Sequence, residues 1–332
     1  MPSLPTMAKW TLSLGLLALI VLRIDISSLP SLLLEPRTLA AILAATMGLF
    51  LQGLLAARRQ IDILLVLGSR ITGRASLRVW FAGLFVNQFG LTFIAGDVMR
   101  GVQLIREGVT RRVAGRAVVL DRIVGLAVLL LMVDAVLPFM APLAVDARLH
   151  YSFILLGLLA TGGLACMLAS GFMMALITRL PVPLLRHRVT EIAFDLFSVA
   201  RFLHGQPRRT IAIAALSLVM HLLNVAGLVL IACSLGAEAS PWAMAAIITP
   251  VTLLAMLPIS IAGWGIRETA VITGLGLVHV PAQIALAASV AFGVSMLLAS
   301  LPGMPLVVAA RRSLGSVSIE ATSPRPAAGI QA

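Results

Sequence analysis

Charge is scarce in this chain. Asp, Glu, Lys and Arg make up 11% of its 332 residues, where a soluble domain carries about a quarter. Hydrophobic residues reach 60% and the mean hydropathy is +1.06. That balance excludes an ordinary water-soluble domain and leaves an integral membrane protein. Lysine is nearly missing, with Lys9 alone beside 24 arginines; this reads as a compositional bias and bears on no chemistry. Cysteine is down to Cys166 and Cys233, each inside an apolar run. Two such residues give neither a disulfide framework nor a metal-ligand spacing, and they read as small packing residues. A phosphate-cradling glycine loop of the nucleotide type and a G-x-S-x-G elbow are also missing. No extramembrane stretch is long enough for a catalytic domain. The expectation is a protein that is not an enzyme and uses no cofactor and no metal.

What the chain has is apolar runs. They fall at roughly 10–29, 38–57, 79–95, 117–141, 150–178, 211–235, 242–261, 266–279 and 281–310, several of them near the ~20 residues a spanning helix needs. The net charge of +12 comes from arginines in the short loops between runs. That is where topology puts them, so no nucleic-acid partner is expected. The first run, Trp10–Leu22 after Lys9, is followed by Arg23, Asp25 and Pro30 and by no A-x-A-like cleavage site. It reads as a spanning helix and not as a leader.

Arginine sorts the loops into two sides. Loops 58–78, 96–116 and 179–210 and the tail from Arg311 are rich in it, which predicts the cytoplasmic side. Loops 30–37, 142–149 and 236–241 are poor in it. With the N-terminus inside, simple crossings satisfy the rule except at two places. Segment 79–95 must dip into the membrane and return, and 242–279 must do so from the opposite face. Each half then reads as two crossings, one re-entrant unit and a third crossing. An odd number of crossings inverts the second half. The predicted fold class is therefore all-α integral membrane: a polytopic helical bundle of two inverted repeats, each with a re-entrant helix. About six spanning helices plus two re-entrant segments are expected. Repeat one covers about 10–141 and repeat two about 150–311, within one transmembrane domain over 1–312. Residues 313–332 read as a disordered cytoplasmic tail. The stretch 186–205 has apolar Val189, Ile192, Leu196, Val199 and Leu203 at helical spacing. It reads as an amphipathic helix on the cytoplasmic surface.

The halves share a phrase, "IAGDVMR" at 94–100 and "IAGWGIR" at 261–267. In opposed repeats the two would come from opposite faces toward the midplane. A charge at membrane depth is costly unless paired or hydrated. The candidates for substrate binding are therefore Gly96, Asp97 and Arg100 in the first phrase and Gly263, Gly265, Arg267 and Glu268 in the second, with Arg122 beside Asp121. Arg100 and Arg267 offer guanidinium forks suited to phosphate. The glycines admit close backbone approach, and Pro258 breaks its helix. Asn87 and Gln88 are expected to steady the first re-entrant turn. Ser217, His221 and Asn224 form a polar stripe, with His221 expected to make an interhelical hydrogen bond.

Residues 87–126, with Asn87, Gly96, Asp97, Arg100, Asp121 and Arg122, resemble the first signature of the lysylphosphatidylglycerol synthase transmembrane region, also called the flippase-like membrane family. "LPISIAGWGIRETA" at 257–270 resembles its second signature, carried by Pro258, Gly263, Gly265, Arg267 and Glu268. The similarity spans nearly the whole chain in order and spacing. It departs at "LTFIA" before Gly96, where members often carry a proline. The resemblance implies a lipid translocase in the bacterial inner (cytoplasmic) membrane, multi-pass with both termini cytoplasmic. It implies a phosphate-containing head group held in a central membrane cavity. The lipid partner would be a phospholipid, polyprenyl-phosphate or hopanoid-type lipid. The aminoacyl-transferring domain of some relatives is not expected here. The alternative expectation is a non-transporting scaffold or accessory subunit of a lipid-modifying enzyme or glycosyltransferase.

Overall fold

The computed structural model describes residues 29–89, 94–140, 147–168, 205–255 and 265–309, together with Gly15, Leu22 and Ile24. Every regular element among them is helical. In chain order they are α1 (Leu29–Leu33), α2 (Pro36–Val66), α3 (Gly73–Phe89), α4 (Ala95–Arg106), α5 (Arg111–Met140), α6 (Ala147–Leu168), α7 (Pro207–Ser234), α8 (Pro241–Ala255), α9 (Ile266–Gly276) and α10 (Ala282–Ser300). A 3-10 turn, Leu301–Gly303, carries α10 onward, so that one helical run reaches Ala309. Four helices are long and apolar enough to cross a membrane: α2, α5, α7 and the run Ala282–Ala309. In α6 the apolar stretch is Tyr151–Gly163. The chain is a polytopic helical membrane protein. The expected first span apart from Gly15, Leu22, Ile24 and Leu29, the amphipathic helix at 186–205 apart from its last residue, the tail, Pro258 and Gly263 lie outside the described residues.

Helices α2 and α7 are built alike. Each has proline in its first turn, Pro36 and Pro207, where the missing N–H costs nothing. Each stops at a left-handed glycine, Gly68 at φ 76° and Gly236 at φ 87°. There the Ser69 N–H donates to Leu64 O and the Ala237 N–H to Ala232 O, the bond that closes a Schellman stop. These two helices form the most extensive pair among the described helices. Lipid tails are as apolar as leucine, so tight packing and not hydrophobicity holds such a pair. Small residues allow it: a Cβ on Gly227 would already touch the Ala45 side chain at 3.5 Å.

The packing repeats. Exchange α2 with α7, the hairpin α3–α4 with α8–α9, and α5 with α10. The pair α2–α3 then maps onto α7–α8, α4–α5 onto α9–α10, and α2–α5 onto α7–α10. The contacts between halves map too: α2–α10 onto α5–α7, and α3–α10 onto α5–α8. Two expectations about loops change. Most of the expected loops 58–78 and 96–116 is helical: 58–66 and 73–78 in the first, 96–106 and 111–116 in the second. Arg59 and Arg100, counted among the loop arginines, are buried at 4% exposure each. Other arginines of those stretches, such as Arg70, Arg74, Arg111 and Arg112, are exposed. Cys233, expected to pack, is exposed on α7.

Candidate functional site

The first hairpin is held by its own close fit. The Gly96 N–H donates to Asn87 Oδ1 at 3.0 Å, tying the start of α4 to the end of α3. A Cβ on Gly96 would overlap Asn87 Oδ1 and Gly83 O, and one on Gly83 would overlap the Arg100 side chain. Glycine is thus what lets α3 and α4 approach. Asn87 does the bracing expected of it. Gly96 acts through this fit and is not among the residues lining the adjacent cavity.

One turn on, Arg100 reaches a network that the sequence disclosed only in part. Its Nη1 lies 3.0 Å from Asp121 Oδ2 on α5 and 3.7 Å from Asp97 Oδ1. Its Nη2 donates to Gln60 Oε1 on α2 at 3.2 Å, and its guanidinium stacks 3.9 Å from the Trp80 ring centre. Asp121 also faces Arg59, whose Nη2 stands 2.7 Å from Oδ1. Arg59 Nη1 donates to Ser217 Oγ on α7 at 2.7 Å. Arg122 Nε lies 2.8 Å from Asp97 Oδ2. His221 Nε2 and Gly125 O are 2.9 Å apart, which joins α7 to α5 as the polar stripe suggested.

These side chains surround a cavity of about 160 Å³, lined among others by Arg59, Arg100, Arg122, Asp97, Asp121 and His221. At ~30 Å³ per water in the liquid, that is room for about five waters, or for a phosphate group. Three guanidinium groups and two carboxylates thus converge on one space. Charge-assisted bonds from guanidinium forks are the strong way to hold an anion.

The second hairpin carries the other arginine. Gly265 takes φ 88° and opens α9, a backbone that favours glycine. Glu268, fully buried, accepts from the Gly265 N–H at 2.6 Å, from Arg267 Nη2 at 2.6 Å and from Ser289 Oγ at 3.3 Å. Arg267 Nη1 donates to Met296 Sδ at 3.5 Å. Arg267, Glu268 and Gly265 are not among the residues that line the cavity at Arg100. The structure therefore brings Asp97, Arg100 and Arg122 together and sets the second phrase apart.

Sequence reasoning missed Arg59, Gln60 and Trp80. The available signal was the absence of any proline between Pro36 and Gly68, and of any glycine between Gly53 and Gly68, which keeps "ARRQID" inside one helix. Gln52 and Arg59 then fall seven residues apart on one face, and both line the cavity.

Comparison with curated proteins finds no match. The family model of the lysylphosphatidylglycerol synthase TM region matches residues 7–303. That span takes in both hairpins, the buried arginine network, three of the long spans whole and the fourth as far as Gly303, and the chain belongs to that family.

Proposed function

We propose that the chain binds the phosphate of a lipid head group in the cavity at Arg59, Arg100 and Arg122 and helps that lipid across the membrane. The observation that carries this is a cavity with room for a phosphate on which three guanidinium groups from three helices converge. Asp97 and Asp121 orient the arginines, and no enzymatic step is assigned to them. The hairpins support the membrane arrangement that such a role needs. Helices α4 and α9, with 12 and 11 residues, rise about 18 Å and about 16 Å at ~1.5 Å per residue. That falls short of a hydrocarbon core of ~30 Å, which supports hairpins that enter the membrane and return to the same face. Two inverted repeats around a central site are a design met in transporters. The inner membrane, with both termini cytoplasmic, fits the exposed arginines.

Native mass spectrometry of the purified protein beside Arg100→Ala and Arg122→Ala tests this. A defined phosphate-bearing lipid held by the wild type and lost in both variants is the expected result. Mixed bulk lipid, unchanged by either substitution, would overturn the site and favour the scaffold alternative.

A further inference from the structure

A second, smaller cavity adjoins the first. It measures about 70 Å³ and lies among α2, α3, α7 and α10. The two cavities share three walls: Gln52, Trp80 and Leu84. The far side of the smaller one is formed by Met296, the residue that accepts from Arg267. Space therefore leads from the arginine cluster of the first hairpin, past Trp80, to Met296, behind which stands Arg267 of the second.

The lining of this smaller space differs in kind. It holds three carboxamides, Gln52, Gln88 and Asn224, among apolar side chains, and no charge. Polar groups at membrane depth are costly without partners. Gln52 Oε1 is nonetheless buried and accepts no hydrogen bond among the described residues. Packing alone gives no reason for three amides from three helices to face one small void.

We infer that this second cavity is the passage by which a phosphate head group moves between the two hairpins, with Gln52, Gln88 and Asn224 as neutral hydrogen-bonding stations. The inference rests on the proposed head-group site. Its physical logic is that of a conducting pore: binding along the way must be favourable enough to enter and weak enough to leave. The arginines of the first cavity hold an anion, and the amides beyond Trp80 steady it without trapping it. Trp80, stacked on Arg100 and lining both spaces, stands at the neck.

Asn224 lines the smaller cavity and is absent from the lining of the larger one, so it separates passage from binding. The protein is reconstituted into vesicles of phosphatidylethanolamine and phosphatidylglycerol that contain acyl-labelled fluorescent phosphatidylglycerol. Loss of inner-leaflet protection against a membrane-impermeant quencher gives the rate of movement. Bound lipid is read in parallel by native mass spectrometry. Asn224→Leu should keep its bound lipid and move the probe about tenfold more slowly or worse, and Asn224→Gln should restore the rate. Gln88→Leu, on another helix, should behave like Asn224→Leu and serves if that variant does not fold. A wild-type rate in the leucine variants would overturn the passage. So would a wild type that binds lipid but does not move the probe, or an Asn224→Leu that loses its bound lipid as well. A wild type with no bound lipid overturns the head-group site itself, a failure distinct from these.

Discussion

The two hairpins occupy equivalent places in the repeat and carry the same phrase, yet their arginines are satisfied in opposite ways. Arg100 finds its acid 21 residues away on another helix, and that acid is shared with Arg59 from a third. Arg267 finds its acid next door, where Glu268 also ties down the first turn of its own helix. One arrangement is distributed over α2, α4, α5 and α7 and walls a cavity. The other is local and closed. A phrase that repeats in sequence thus fixes where an arginine sits in the fold but not what it is free to do. That depends on where the counter-charge comes from.

The widest separation between the two should appear at the acids. Asp121→Asn leaves two buried arginines facing a neutral amide. Breaking a buried pair costs about 3–5 kcal/mol, and this variant should sit at or above the top of that range. Glu268→Gln faces only one arginine and keeps an oxygen for the Gly265 N–H, so it should fall at or below the bottom. Thermal unfolding in detergent micelles checks the order. Equal losses would erase the distinction between a distributed and a local site.

Next come the arginines as ligand groups. Arg122 is about one-third exposed in its side chain and lines the cavity. Arg122→Ala should weaken lipid binding by roughly one charge-assisted hydrogen bond, about 1.5–3 kcal/mol, with little loss of melting temperature. Arg267→Ala strips buried Glu268 of its cation, so its melting temperature should fall along with any change in binding. Lipid retention and melting temperature, measured together on each variant, separate the two. An Arg122→Ala that melts early and keeps its lipid would place Arg122 in the framework and not in the site.

The asymmetry bears on what the sequence could disclose. Periodicity and arginine counts were enough for the helical membrane class and for the four long spans, because a spanning helix writes its length into the chain. They also marked Arg100, Asp97, Arg122, Arg267 and Glu268 as residues to explain. What they hid was Arg59 and Gln60. An arginine ahead of a basic loop looks the same whether it is solvated or turned inward. Only the length of α2 decides, and that is set by Gly68. The sharing of Asp121 was hidden for a different reason, since pairing across helices 62 residues apart leaves no local spacing to read.

The glycines test the comparison at the backbone. Gly96→Ala forces a methyl into Asn87 and the Gly83 carbonyl, so α3 and α4 must separate; overpacking of this kind costs about 1–3 kcal/mol. Separation also moves Arg100 away from Asp121, so lipid retention should fall with stability. Gly265→Ala meets a torsional penalty of about 1–2 kcal/mol at a helix start whose acid partner moves with it. Its melting temperature should drop without a matching change in lipid held at Arg100. Parallel loss of lipid in both variants would show that the two hairpins are coupled more tightly than their separate partners imply.

The smallest expected effect lies between the halves. His221 on α7 meets Gly125 O on α5 at 2.9 Å and also lines the cavity, so it invites a larger role than its bond supports. Hydrogen bonds between membrane helices average about 0.6 kcal/mol, because the separated helices find other partners. His221→Leu should therefore shift melting only slightly. If His221 serves only to join α7 to α5, lipid retention in that variant should match the wild type at every pH tested. A loss of lipid equal to that in Arg122→Ala would instead make His221 a ligand group. The first half-site would then extend onto a helix of the second repeat, where its contrast with the local arrangement at Glu268 would be sharper still.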